Sequence, residues 1–321
     1  MQQAEAAVVY KTKFLIPSKP LRLFGKIMLI GLHDSDKTKF HNLALMKISA
    51  WHKKQGDEVK IFTPDLSNKY DKIYSSKVFT FTAEDTGLPK DERVMKGGTG
   101  YKKSEELPEE IEHIMPDYSL YELDYSIGFL TRGCVRSCPW CVVPEKEGKI
   151  RKHADITEFL AHKQAVLMDN NVLACDFGVD QLEKIARLGI KVDFNQGLDA
   201  RLIDENIAKR LAKIKWLKPV RLACDQKSQM RVVERAVRLL RENGCTPRQY
   251  FCYVLVKDVD DALERVEFLR NLKVDPFAQP YRDYQNKIEP TKEQKDFARW
   301  VNRKQIFKSC TWEEYKKGKK Q

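Results

Sequence analysis

Long apolar runs are missing from this sequence. The two longest, Ile27–Leu32 (interrupted by Gly31) and Phe251–Val256, reach six residues, far below the roughly 18 to 20 that span a bilayer as a helix. No membrane-spanning helix is therefore expected. The first residues show no basic stretch followed by an apolar one, so no secretory leader is read and a cytoplasmic protein is expected. Internal repeats are absent, and the only low-complexity feature is a lysine cluster at 316–320. Cysteine is scarce, eight in 321 residues, too few for a disulfide scaffold. None of the eight precedes Cys134, and three lie between 134 and 141.

The length suggests two domains on a prior of about 150 residues each. A hydrophobic content of 42% with 10% aromatics is ordinary for a packed protein and excludes wholesale disorder. Lys plus Arg number 58 against 46 Asp plus Glu, a formal excess of +12. Half of that excess sits in 286–321, where 11 basic residues face five acidic ones and Phe297, Trp300, Phe307, Trp312 and Tyr315 are interleaved with the charge.

Residues 1–24 carry Pro17 and Pro20 without a clear period and read as an N-terminal extension. Leu23–Leu32 is strand-like, and Phe40, Leu43, Ala44, Ile48 and Trp51 recur at helical spacing up to Gly56. With strand-like runs at 58–63 and 70–82, residues 25–96 read as a small Rossmann-like α/β domain. Gly97, Gly98 and Gly100 form neither a G-x-G-x-x-G nor a Walker loop, and residues 97–124 read as a flexible linker with a short helix near 107–114. His33 and Asp34 end the first strand, where a ligand contact or a simple turn is expected. From 125 to 285 six strand patterns (126–130, 165–169, 191–195, 220–224, 250–256 and 276–280) alternate with helical ones. That alternation predicts parallel pairing, as a partial barrel or an open sheet, with ligand chemistry at the C-terminal ends of the strands. Residues 286–321 form a basic helical extension.

The first of these strands runs into Cys134-Val-Arg-Ser-Cys138-Pro-Trp140-Cys141, a C-x3-C-x2-C spacing with an aromatic before the last cysteine. Three thiolates on one short loop can hold three corners of an iron–sulfur cluster and leave one iron open. A zinc site completed by a distant ligand such as His153 is the other reading, and implies a non-enzymatic zinc-binding, nucleic-acid-binding protein. The remaining five cysteines are isolated: Cys175, Cys224 and Cys252 lie in or next to apolar strand patterns and read as buried small hydrophobes, while Cys245, Cys252 and Cys310 are candidates for an auxiliary cluster that nothing in their spacing demands.

Cys134, Cys138, Trp140 and Cys141, with the strand and helix pattern over about 125–285, resemble the radical S-adenosylmethionine (SAM) superfamily. That resemblance implies a partial (β/α)6 TIM-like barrel whose three cysteines bind a 4Fe-4S cluster. SAM chelates the fourth iron and is cleaved by one electron to a 5′-deoxyadenosyl radical, which abstracts hydrogen from a substrate. It also implies a flavodoxin- or ferredoxin-type electron donor. Asp169-Asn170-Asn171, after the second strand, takes the position of the family's Gly-Gly-Glu-like stretch but lacks its glycines. Asn195 is a candidate for the ribose and Arg201 for the SAM carboxylate, with loop capping or a surface ion pair as the competing reading for each. Gln196, Asp199, Asp225, Gln226, Gln279 and Tyr281 are further strand-end candidates, and none is singled out as a catalytic acid or base.

An α/β domain before such a core resembles the B12-type radical SAM enzymes, so cobalamin is a candidate cofactor. Against it, no D-x-H-x-x-G motif is present. The methylthiotransferase subgroup is disfavoured because it carries upstream cysteines. The basic tail, with its interleaved aromatics, suggests RNA or a nucleotide as substrate, because lysines neutralise phosphates and rings stack on bases. A solvated helix whose aromatics pack inward is the competing expectation.

Overall fold

The computed structural model describes residues 27–36, 38, 41–101, 106–245, 250–283, 286 and 288–318. The extension expected at 1–24 lies outside them. The chain divides into two compact units, one of residues 1–137 and 141–168, the other of 138–140 and 169–321. Both are mixed α/β with parallel strands.

The first unit begins with β1 (Leu29–Asp34), α1 (Leu43–Lys54), β2 (Glu58–Ile61), β3 (Lys72–Ser76) and β4 (Val94–Gly97). These form a four-stranded sheet in the order β2-β1-β3-β4, parallel throughout, with Ile30 opposite Val59 on one side and Lys72 on the other. The sequence pattern explains α1. Asn42 caps it by accepting from the Leu45 backbone N–H at 3.2 Å, and Gly56, at φ 85°, follows its C-terminal end. Phe40, expected in this helix, lies outside the described residues. Leu45 and Ile48 of α1 pack with Ile30, Leu32, Tyr74 and Ile111 in one buried cluster, while Phe62, Tyr70, Ile73 and Leu88 form another.

The glycines at 97–100 are not a loose connector. Gly98 has φ 103°, and a Cβ there would meet the Lys77 carbonyl oxygen at 2.3 Å; one on Gly100 would meet the Lys77 side chain at 2.5 Å. Glycine is required because the chain wraps tightly around Lys77 at the end of β3. Leu107, Ile111 and Tyr118 of the expected linker are buried as well, Ile111 in α2 (Glu109–Glu112). The first unit continues through β5 (Ser126–Gly128), β6 (Thr131–Arg132), α3 (Val143–Lys146), β7 (Arg151–Lys152) and β8 (Gln164–Leu167). β5 and β8 pair in parallel and β6 and β7 antiparallel.

The second unit carries α4 (Asp176–Leu188), β9 (Lys191–Phe194), α5 (Glu205–Ala212), β10 (Lys215–Trp216), β11 (Val220–Ala223), α6 (Met230–Glu242), β12 (Tyr250–Val256), α7 (Val259–Asn271) and β13 (Asp275–Pro280). β9 pairs with β10, and β12 sits between β11 and β13, all in parallel. All six strands expected between 125 and 285 are present, most of them slightly shorter. Asp204 and Asp258 cap α5 and α7 by accepting the N–H three residues on at 2.8 Å.

The chain closes with α8 (Lys292–Asn302), α9 (Lys304–Ser309) and α10 (Trp312–Gly318). Phe297, Trp300, Phe307 and Trp312 are buried and pack edge-on or tilted against one another. The Arg270 guanidinium covers Phe307 at 3.9 Å and donates to its carbonyl at 2.8 Å. Four of the tail's five aromatics are thus core, and Tyr315 is half-buried. No helix among the described residues is long and apolar enough to cross a membrane.

Candidate functional site

The cysteine loop grows out of the β6–β7 hairpin. Thr131 faces Lys152 and Arg132 faces Arg151, so the intervening loop leaves and returns at one point. Three contacts fix its start. Gly133, at φ 80°, fits because a Cβ there would sit 2.2 Å from the Lys149 carbonyl oxygen. Its N–H donates to the Glu147 carboxylate at 2.7 Å. The Cys134 N–H donates to the Gly148 carbonyl at 3.2 Å. The Cys134 sulfur accepts the Arg136 N–H at 3.4 Å.

Cys134 and Cys141 belong to the first unit and Cys138 to the second. None of the eight cysteines is in a disulfide; Cys141 is exposed and Cys134 and Cys138 are half-buried. The donor chemistry suits a thiophilic metal. Among the described residues, however, no group of three or more His, Cys, Asp or Glu is gathered to hold an ion. The other cysteines differ sharply. Cys224, Cys245 and Cys252 are buried; burial pushes Cys224 up to about 12 and Cys245 to about 11, and raises Cys252 well above the ordinary thiol value. Cys224 and Cys252 are core residues, as their apolar surroundings in sequence suggest; Cys245 is buried without that signal, and Cys175, expected to be buried, is half-buried.

His153, the distant zinc ligand of the alternative reading, is occupied elsewhere. Its Nε2 is 3.2 Å from Glu112 and its ring packs on His113 with centroids 5.2 Å apart. Glu112 also receives the Lys47 ammonium at 2.8 Å. Burial pushes the Glu112 carboxyl up, but Lys47, His153 and Arg132 outweigh it and hold the group well below the usual carboxylate range. Burial also lowers His153, against the pull of Glu112.

In the second unit, Asp169 is buried and Asn170 half-buried. Asn171 donates to Asp199 at 3.2 Å. Arg201 reaches the same carboxylate through Nε at 2.6 Å and Nη2 at 3.1 Å. The structure therefore brings Asn171, Asp199 and Arg201 together, and the Arg201 fork is turned to Asp199. Asn195 is half-buried just after β9, before Gly197 at φ 89°. Asp225 accepts the Leu255 N–H at 3.0 Å; burial raises its carboxyl despite that bond and Arg265 and Arg201.

Two residues escaped sequence reading. Arg265 of α7 is almost fully buried and donates to the carbonyls of Cys224 at 2.7 Å and Leu255 at 2.9 Å, tying together the ends of β11 and β12. Its partner Asp261, four positions earlier, was the available signal. Lys257, just past β12, holds its ammonium 4.9 Å from the Trp140 ring and 4.3 Å from that of Tyr281. No helical or strand period marks an ammonium flanked by distant aromatics. Neither a protein-family model nor a curated protein matches this sequence.

Proposed function

We propose that this chain is a radical SAM enzyme, built on a partial (β/α)6 barrel over 125–285. The observation that carries the reading is the C-x3-C-x-Trp-C motif on a glycine-pinned loop that follows β5, with thiols that are accessible while the core cysteines are buried. Cys134, Cys138 and Cys141 would hold a 4Fe-4S cluster. Once bound, the cluster supplies one-electron reductive cleavage of SAM to a 5′-deoxyadenosyl radical that takes a hydrogen from substrate.

The chain's own residues then have positional tasks. Asp169 and Asn170 present polar groups for the SAM amino group, and Asn195 for the ribose. Arg201 serves the SAM carboxylate only by sharing its guanidinium with Asp199, whose two contacts already orient the fork. Lys257 sets a positive charge beside the Trp140 ring. A flavodoxin- or ferredoxin-type protein would deliver the electron. Cobalamin is not part of the proposal, because the sequence has no D-x-H-x-x-G motif. A nucleotide or RNA substrate rests mainly on the basic charge, since four of the tail's five aromatics are buried.

The test is anaerobic reconstitution of wild type and Cys138→Ala, with iron and labile sulfide determined and 5′-deoxyadenosine formation followed after reduction in the presence of SAM. About four irons and four sulfides per chain, with deoxyadenosine from wild type alone, is the expected result. One tightly held zinc and no visible chromophore would overturn the reading in favour of a structural zinc protein.

A further inference from the structure

We propose that the C-terminal edge of the β1-β3-β4 sheet is a second ligand site, one that takes a phosphate group between Lys77 and Lys96 beside Tyr101. Both ammonium groups lie against the Tyr101 ring, Lys77 at 5.5 Å and Lys96 at 5.2 Å from its centroid. Lys77 is 6% exposed. Among the described residues neither ammonium has a carboxylate partner or a hydrogen bond. Two ammonium groups gathered at one ring without an opposite charge repel each other, and attraction to the ring offsets only part of that cost. Two such groups converging on one ring mark a place where the missing charge comes from a ligand.

The surroundings suit a phosphate. The Tyr101 hydroxyl is 2.9 Å from both Ser35 and Ser75, and Ser75 is 2.9 Å from the His33 ring, whose other nitrogen meets Asp85 at 2.8 Å. These hydroxyls and the ring are therefore held in fixed orientations. Gly98 and Gly100 let the chain close on Lys77, since a Cβ at Gly98 would strike its backbone carbonyl and one at Gly100 its side-chain stem. The whole group lies at the ends of parallel strands, beside the β1/β3 junction where the chain crosses from one side of β1 to the other; in open α/β sheets that is where ligands bind. Nearby acids do not neutralise the lysines. Asp36 is used by the Val78 and Phe79 N–H groups and the Thr82 hydroxyl, and Asp34 feels burial and Asp36 but neither lysine.

The proposal is independent of the cysteine loop, and its test needs no cluster. Wild type, Lys77→Met, Lys96→Met and Tyr101→Phe are titrated calorimetrically with inorganic pyrophosphate at ionic strength held constant with NaCl. Thermal unfolding is followed in parallel. Saturable binding to wild type, weakened about tenfold or more in either lysine variant and less in Tyr101→Phe, is expected. Without ligand, Lys77→Met should unfold no earlier than wild type, because it keeps an apolar stem and removes one of two like charges at the ring. If Lys77→Met fails to fold, Lys96→Met, at a half-buried position, decides alone. No binding to wild type, or equal binding to wild type and both lysine variants, overturns the site. Adenosine monophosphate against adenosine, and a short oligonucleotide with and without a 5′-phosphate, then distinguish a small phosphate ester from a nucleic-acid end.

Discussion

The Glu147 carboxylate, with no solvent exposure, accepts the Arg132 guanidinium at 3.0 Å and the Gly133 N–H at 2.7 Å. The guanidinium in turn lies over the Phe129 ring at 3.9 Å. One carboxylate therefore joins both ends of the cysteine loop: Arg132 and Gly133 where it leaves β6, and residue 147 just before it returns. Glu147→Ala removes the carboxylate that the buried Arg132 guanidinium and the Gly133 N–H share, so a loss of about 3 to 5 kcal/mol is expected. Glu147→Gln keeps an acceptor for Gly133 and should lose less. Urea unfolding of both variants checks this; a wild-type midpoint for Glu147→Ala would show that the pair does not hold the loop.

Gly133 and Gly148 both adopt positive φ, 80° and 73°, but only Gly133 is crowded. Gly148→Ala should cost about 1 kcal/mol, the price of the left-handed backbone alone. Gly133→Ala must also push the Lys149 carbonyl away from a Cβ 2.2 Å distant, and should cost clearly more. Equal unfolding free energies for the two variants would show that the close approach is relieved without cost.

The strand–helix alternation from 125 to 285 was legible because its units share signals: a short apolar run, an Asp cap at the start of α5 and α7, and a glycine or polar stop. Asp204 and Asp258 perform the capping their positions imply. The glycines at 97–100 misled, because a close approach to Lys77 and a loose hinge look alike in sequence. The tail's aromatics were ambiguous for a related reason. Interleaving with charge at helical spacing is compatible with base stacking and with an amphipathic core, and Phe297, Trp300, Phe307 and Trp312 take the second course. Polar pairings such as Arg201 with Asp199 needed coordinates, since a fork two residues from its carboxylate has no periodic signature.

Thiol reactivity should separate the cysteines into two groups. Cys224 and Cys245 are raised to about 12 and about 11 by burial, and Cys252 also stands well above the ordinary thiol value. At pH 8 these three carry very little thiolate and are shielded from reagent. Iodoacetamide labelling of the native, metal-free protein, read by peptide mass spectrometry, should modify Cys134, Cys138 and Cys141 well before them. Early labelling of Cys252 would contradict the buried β12 assignment.

Glu112 should make the first unit acid-sensitive. Its carboxyl is held below its unfolded value of 4.5 because Lys47, His153 and Arg132 outweigh burial. A depressed carboxylate contributes stability that is present above the unfolded value and is lost as pH falls through it toward the folded one. Wild-type stability should therefore fall between about pH 5 and 3. Glu112→Gln should be less stable at pH 7, having left Lys47 buried without its counter-charge, and should show a shallower decline on acidification. An unchanged acid limb in the variant would remove Glu112 from the account.

Asp34 should act in the opposite direction. Burial raises its carboxyl from 3.8 to about 6, with the Asp36 N–H opposing and the Asp36 charge adding to the rise. A raised carboxyl favours the protonated form in the folded chain. Its contribution is present below 3.8, declines as pH rises, and is gone above about 6. The folded protein therefore carries a penalty at pH 8 on the order of 2 to 3 kcal/mol. Asp34→Asn keeps an oxygen for the Asp36 N–H, which the aspartate accepts at 3.1 Å, and removes the titration. The variant should match wild type near pH 4 and unfold at a higher temperature at pH 8. Thermal unfolding of both proteins from pH 4 to 8 checks this, and parallel curves across that range would show that Asp34 titrates as it does in the unfolded chain.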